Sequence, residues 1–256
     1  MPGYGLATIY LSLLVLIPLA TVLSHAFSGG ISAMWSEITQ PIAAHALTLS
    51  LACSGIVVVV NAVLGTAIAW LLVRDRFPLN RVLAFFVDLP FALPTIIAGL
   101  VLVVMYGATS PVGINIAFTR YAIVTALAFV TLPFSVRSVQ PVLAALDREA
   151  EEAAASLGAS PFTTFRRVTL PALLPAIFTG AGLTFARALG EFGSVSLVSG
   201  NIPGKTEVAS VAIYGLVEDY DLPAAAAVSL ALFVCALVVL TFFTILRRRV
   251  LPRDAV

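Results

Sequence analysis

The sequence predicts an all-α polytopic membrane protein with six membrane-spanning helices. Of its 256 residues, 60% are hydrophobic and only 11% are charged, and the mean hydropathy is +1.06. Soluble domains average about 25% charged residues, so water cannot solvate most of this chain's surface. Long apolar runs and a one-sided distribution of arginine complete the prediction.

Each apolar run is long enough for a helix that crosses the hydrocarbon core of a bilayer, which takes roughly 20 residues. The runs are continuous rather than alternating in polarity, which favours helices over barrel strands. The first run has no Lys or Arg before it and no clear cleavage site, so we expect a retained span rather than a signal peptide. The predicted spans are about 6–27, 46–73, 82–106, 121–140, 172–198 and 224–246.

Basic residues gather on one side of these spans. Eleven of the fourteen Lys and Arg residues lie between spans two and three, at or between spans four and five, or after span six. Because basic loops stay in the cytoplasm, both termini and the loop at about 141–171 are predicted to be cytoplasmic. The connections are too short for a separate soluble domain. Residues 1–256 are therefore expected to form one transmembrane domain, in a multi-pass protein of the plasma or inner membrane.

An acidic, alanine-rich stretch, EEAAASLG at 151–158, interrupts the apolar sequence inside the 141–171 loop. Acidic residues at the start of a helix suit the positive end of its dipole, and Asp147 is a candidate cap. Gly158 follows where a helix end favours a residue of positive φ. Small residues recur at helical spacing and predict one apolar face, made of Ala150, Ala153, Ala154 and Leu157.

A second short helix is predicted after the glycine, with Ser160 as its N-cap and Pro161 at its first position. Leu170-Pro171 is expected to turn the chain into span five. An alternative is an amphipathic hairpin that lies on the lipid surface. Interfacial helices are usually basic, however, and this one is acidic, which favours a protein partner.

The same loop resembles the cytoplasmic motif of ABC importer permease subunits. That motif begins Glu-Ala-Ala, has a glycine four residues after the second alanine, and ends with isoleucine, any residue, and Leu-Pro. Here Val168 replaces the isoleucine. The resemblance implies a type I ABC importer permease fold, whose loop sits in a groove of a separate ATPase subunit and transmits its closure to the spans. The ATPase-coupling residues so implied are Glu152, Ala153, Ala154, Leu157, Gly158, Val168, Leu170 and Pro171.

More of the chain resembles the T-type permease subunit of sulfate/thiosulfate importers. The resemblance implies import of sulfate or thiosulfate into the cytoplasm. It also implies four kinds of partner: a related W-type permease subunit, two ATPase subunits, an extracytoplasmic sulfate-binding protein, and membrane lipid. Molybdate and tungstate permeases share the pattern at 185–193 and are the near alternative. The similar segments are 88–95, 132–141, 185–193, 199–208 and 219–224.

Asp88, Arg187 and Glu191 are the acidic and basic side chains placed in the predicted spans, with Arg137 counted at the cytoplasmic end of span four. Charges there are costly and usually face an interior path, so Arg187 and Glu191 are candidates for the translocation path or its gate. They are four residues apart and can equally form an internal pair that only stabilises span five. Asp88 lies near the cytoplasmic end of span three and is assigned no role.

The sequence shows no clear motif for an enzyme, a nucleic-acid-binding protein or a metal site. There is no GxxxxGK[ST] nucleotide-binding motif and no catalytic set, so we expect a transport subunit without enzymatic activity or cofactor. ATP and Mg²⁺ are expected on the partner ATPase subunits. The net charge of +1 gives no field for nucleic acid, and His25 and His45 lack a third metal ligand. A proton-coupled secondary transporter that uses Asp88 and Glu191 is the rival, but no internal repeat supports it.

Overall fold

The computed structural model describes residues 8–75 and 78–250, and these ranges are mostly helical. Apolar sequence forms helices in lipid because the bilayer core offers no hydrogen-bond partner to the backbone. The helices of the described ranges are α1 Thr8–Ala26, α2 Gly30–Thr39, α3 Pro41–Arg74, α4 Asn80–Ala92, α5 Thr95–Tyr106, α6 Arg120–Ala145, α7 Glu149–Ser156, α8 Pro161–Leu189, α9 Gly193–Val198, α10 Ala209–Glu218 and α11 Leu222–Val250.

Five of these helices, α1, α3, α6, α8 and α11, are long and apolar enough to cross a membrane. Helices α4 and α5 together form a sixth candidate, bent by 117° at the break between them. The span predicted at 82–106 therefore consists of two helices rather than one. Leu93 has an extended backbone before Pro94, because proline disfavours a helical conformation in the residue that precedes it.

The fifth predicted span begins earlier than expected, because the chain does not turn at Leu170-Pro171. A π-helical turn at Phe165–Thr169 joins the second short helix to the span, and α8 runs unbroken from Pro161. The Leu170 N–H bonds to the Phe165 carbonyl in this turn. Wider turns of this kind absorb a local irregularity, so Pro171 does not end the helix despite its missing N–H.

The same span also ends earlier than predicted. Helix α8 stops at Leu189, and three residues separate it from the short α9. This break packs against the other broken span, since α9 contacts α5. Gly99 on α5 allows the contact: an added Cβ would lie 2.7 Å from the Ser194 carbonyl oxygen. Two interrupted spans thus meet inside the bundle.

The core lies where α3, α6 and α8 pack on one another. Its largest cluster includes Val57, Ile123, Leu127 and Ala188, all buried. Buried Asn61 on α3 donates hydrogen bonds to the Thr131 hydroxyl and the Ala128 carbonyl of α6, at 2.9 and 3.0 Å. Small and polar contacts of this kind hold membrane helices together where lipid removes the hydrophobic driving force.

Candidate coupling and translocation sites

Helix α7 begins at the acidic cluster. Glu149, Glu151 and Glu152 lie in its first turn, where unsatisfied N–H groups favour negative charge. Asp147 accepts a hydrogen bond from the Glu149 N–H at 3.0 Å. These contacts stabilise the start of a helix that is too short to be stable in isolation.

The end of α7 also follows the sequence prediction. Gly158 has a φ of +82°, in the left-handed region that side chains with a Cβ rarely adopt. The Ala159 N–H bonds back to the Ala154 carbonyl at 3.0 Å, a closure typical of helix ends with this glycine. Ser160 then caps α8, as predicted, by accepting the Thr163 N–H at 3.3 Å.

Four of the predicted coupling residues share one exposed surface. Glu152, Ala153, Leu157 and Gly158 are all exposed, and Leu157 has 89% of its surface accessible. We call these four residues the coupling surface. It consists of a highly exposed leucine beside alanine and glycine, with an acidic residue at its edge.

The other predicted coupling residues lie apart from this surface. Ala154 is half-buried on α7, Val168 is half-buried in the π-helical turn, and Pro171 is exposed on α8. Leu170 lines an apolar groove together with Trp70 of α3. These residues link the coupling surface to the membrane helices rather than extending it.

Glu151 attaches α7 to the bundle. Its Oε1 lies 3.0 Å from Nη2 of Arg74, the last residue of α3, and accepts a hydrogen bond from the Thr169 hydroxyl at 3.0 Å. Arg74 also donates to the Leu146 carbonyl at 3.5 Å. The Arg74 side chain is only 9% exposed, so its buried charge needs the Glu151 carboxylate as a counter-ion. One carboxylate therefore connects α7, α3 and the base of α8.

Sequence reasoning placed Glu151 only in the first turn of its helix and gave Arg74 no partner. The two residues are 77 positions apart. The sequence does contain a weak indication that Arg74 has a partner. Arg74 is the single charge at the end of a 34-residue apolar helix. Such a charge needs a counter-ion unless it reaches water.

Arg187 and Glu191 form the predicted pair, with Nη1 and Oε2 2.7 Å apart. The Glu191 side chain is 1% exposed and occupies the break after α8. Its Oε1 accepts hydrogen bonds from both the N–H and the hydroxyl of Ser194, each at 2.9 Å. Both carboxylate oxygens are thus engaged within the protein. The Arg187 side chain keeps 35% of its surface exposed.

A second pair of opposite charges within the predicted spans includes Asp88, which was assigned no role from the sequence. Arg137, counted from the sequence at the cytoplasmic end of span four, lies within α6, and its guanidinium forms a two-pronged salt bridge with the Asp88 carboxylate. The Nε···Oδ1 distance is 2.9 Å. Arg137 also donates to the side-chain oxygen of Gln140.

Residues 8–75 and 78–250 contain no group of three or more His, Cys, Asp and Glu side chains that could hold a metal ion. The two histidines have different neighbours. Nδ1 of His25 lies 2.9 Å from the Thr21 carbonyl oxygen, and Nε2 of His45 lies 3.2 Å from Nη2 of Arg120.

Related sequences carry the names of transport proteins. Residues 61–252 match the family described as "Binding-protein-dependent transport system inner membrane component". The chain is 44% identical to the sulfate transport system permease protein CysT of Synechocystis, over 94% of this chain and 86% of the relative. It is 37% identical to the protein of the same name from Escherichia coli, over 97% and 94% of the two chains.

Solved structures share the fold at lower identity. A chain of a bacterial ABC transporter that imports the acidic polysaccharide alginate superposes with a TM-score of 0.78 and 18% identity, over 96% of this chain and 93% of the other. A chain of the MetNI methionine ABC transporter, in an inward-facing conformation, gives 0.65 and 20%, over 81% and 95%. The fold is therefore that of type I ABC importer permeases. The chain belongs to the family of binding-protein-dependent transport system inner membrane components, as a multi-pass permease subunit.

Proposed function

We propose that this chain is the T-type permease subunit of an ATP-driven importer that moves sulfate or thiosulfate into the cytoplasm. The observation that carries the proposal is the 44% identity to a sulfate transport system permease over nearly the whole chain. At this level of identity and coverage, the two proteins share most of their spans and loops. Molybdate and tungstate are the competing cargoes.

The proposed assembly contains a second, W-type permease subunit, two ATPase subunits and an extracytoplasmic sulfate-binding protein. The end of the bundle that carries Arg74, Ala145 and α7, here called the hairpin end, faces the cytoplasm together with both termini. The excess of arginine in the loops at this end supports that orientation. A solved relative of the fold, the alginate ABC transporter, is in complex with a periplasmic protein bound to alginate pentasaccharide, which supports the outer partner.

Coupling runs from the ATPase through α7 into the spans. The coupling surface occupies a groove of an ATPase subunit, and ATP-driven closure of the motor displaces α7. Glu151 passes this displacement to Arg74 at the end of α3 and to Thr169 in α8. Because α8 is continuous from Pro161 to Leu189, it carries the movement to Arg187 and Glu191, which lie at the end of α8 away from the hairpin end.

Arg187 and Glu191 act in this proposal at the gate of the path. Glu191 fixes the break between α8 and α9 through Ser194, whereas the half-exposed Arg187 offers positive charge to a passing anion. Its salt bridge to Glu191 keeps that charge from holding a dianion tightly. Specificity then lies mainly in the extracytoplasmic binding protein.

Uptake of radiolabelled sulfate tests the proposal in a strain that lacks its own sulfate and thiosulfate permeases. The complete importer is expressed, and unlabelled thiosulfate and molybdate are added as competitors. Sulfate uptake that thiosulfate suppresses and molybdate does not suppress is the expected result. Uptake of molybdate in preference to sulfate would assign the chain to the competing class.

A further inference from the structure

The salt bridge between Asp88 and Arg137 joins two membrane helices, α4 and α6. Asp88 is eight residues from the start of α4, and Arg137 is eight residues from the end of α6. At 1.5 Å per residue, each lies about 12 Å along its helix from the hairpin end. The pair therefore lies within two predicted spans, six residues from the start of 82–106 and three residues from the end of 121–140.

Both partners are nevertheless open to the outside of this chain. The Asp88 side chain is 47% exposed and the Arg137 side chain is 35% exposed. Lipid tails cannot solvate such charges, which in membrane proteins face a water-filled path or another protein chain. The Glu191 side chain, in contrast, is 1% exposed and is enclosed by its own chain.

The guanidinium of Arg137 has N–H donors that its bonds to Asp88 and Gln140 do not use. Its bonds to Asp88 and Gln140 use one N–H on each of its three nitrogens, out of five N–H donors in all. Two donors are left for a further acceptor at the exposed side. A planar guanidinium binds tetrahedral oxyanions and carboxylates with the same two-pronged geometry, so an oxyanion can replace Asp88 without loss of fit.

An aromatic pair adjoins this site. Phe91 and Phe134 meet edge to face with ring centres 5.2 Å apart, one helical turn beyond Asp88 and Arg137 on the side away from the hairpin end. Phe91 is 55% exposed. The charged pair and the aromatic pair thus follow one another along the same two helices. Such an arrangement is expected in a path that alternately admits and excludes water.

We propose that Arg137 is an anion contact in the hairpin-end half of the translocation path. Asp88 is its counter-ion within the chain and binds the guanidinium when no anion is present. When a tetrahedral oxyanion such as sulfate passes, the oxyanion replaces Asp88 on the guanidinium. This inference rests on the proposed function. The nearby carboxylate keeps anion binding weak, which conduction requires because a cargo held tightly would not leave.

A neutral double variant separates this role from a structural one. Asp88→Asn with Arg137→Gln removes both charges together, so neither side chain is left as an unpaired ion, and each position keeps a polar amide. We expect the complete importer to assemble and its sulfate uptake to fall about tenfold or more, as for loss of a charged hydrogen bond. Arg137→Lys, which keeps the charge but not the fork, should retain an intermediate rate. Uptake by the double variant at the wild-type rate would overturn the inference.

Labelling of a cysteine tests the water-lined path without measuring transport. Gln140→Cys in the assembled importer should react with a sulfonate-bearing thiol reagent from one side of the membrane or the other, and sulfate should slow the reaction. The wild-type importer, with Cys53 and Cys235, is the control for background labelling. A cysteine at 140 that never reacts would mean that lipid or a partner chain covers this face, and the inference would be wrong. Failure of wild-type sulfate uptake would instead refute the proposed function.

Discussion

Arg74 and Glu151 are 77 positions apart in the chain, and their side chains form a salt bridge of 3.0 Å at the hairpin end of the bundle. Thr169 donates to the same carboxylate oxygen. This contact joins the exposed helix α7 to α3 and α8, two of the three helices that form the bundle core. In the proposed mechanism, it passes movement of α7 to these two helices.

Glu151→Gln is expected to uncouple ATP hydrolysis from transport. Glutamine keeps an acceptor for Thr169 but leaves the charge of Arg74, which is only 9% exposed, without a counter-ion. Because the coupling surface is unchanged, the ATPase subunits should still co-purify while sulfate uptake falls about tenfold, the effect of a lost charged contact. Glu149→Gln, on the exposed side of the same turn, is the matched control. Equal uptake by the two variants would contradict the assigned role of Glu151.

Gly158→Val should weaken binding of the ATPase while the chain still inserts into the membrane. The φ of +82° costs a side chain with a Cβ about 1–2 kcal/mol, and a β-branched one more, so the end of α7 must rearrange. Gly204→Val is the matched control, since Gly204 has a φ of +67° and equally open space outside the coupling region. Co-purification of the ATPase is the measurement. Normal recovery with Gly158→Val would refute the proposed geometry.

Leu157→Asp tests whether the exposed leucine is a contact with a partner. Leu157 is 89% exposed, so the substitution should leave the fold and thermal stability of the isolated chain unchanged. In the complex, however, aspartate would bury an unpaired charge in the ATPase groove, and recovery of the ATPase should fall strongly. Tyr220→Asp, at an equally exposed site on the α10–α11 loop, should have no such effect. An unchanged yield of the complex with Leu157→Asp would place the ATPase contact elsewhere.

Glu191→Gln and Arg187→Ala should differ in their main effect. Removing the Glu191 charge leaves Arg187 without its partner inside the membrane, and the Ser194 contacts at the α8–α9 break are weakened. We expect the free energy of unfolding of the detergent-solubilised chain to fall by about 3 kcal/mol, as when other buried ion pairs are broken. Arg187→Ala also breaks this pair and should lower the stability, but the importer should still assemble while its sulfate uptake falls further than with Glu191→Gln. Sulfate uptake by Arg187→Ala at the wild-type rate would reduce the pair to a structural role.

The sequence predicted those features that depend on local rules. Continuous apolar runs predicted the spans, because hydrocarbon thickness dictates their length. Gly158 and Ser160 predicted the helix stop and the next helix start, because backbone conformation and capping act over a few residues. The direction of the helices in the membrane stays a prediction from the arginine distribution.

Features that depend on packing could not be predicted in this way. Arg137 and Asp88 are 49 positions apart, and each alone reads as a charge near a membrane interface. The bend before Pro94 is similar, because a proline in a membrane helix gives a kink, a break or no change according to what packs beside it. Here α9 occupies the space next to the bend.

Reconstitution of the complete importer into proteoliposomes tests the central claim most directly, with ATP and a sulfate-loaded binding protein supplied and radiolabelled sulfate followed across the membrane. The account predicts uptake that requires ATP hydrolysis, continues after an ionophore collapses the proton gradient, and is lost with Leu157→Asp. Uptake that proceeds without ATP, or that stops when the proton gradient is removed, would contradict it.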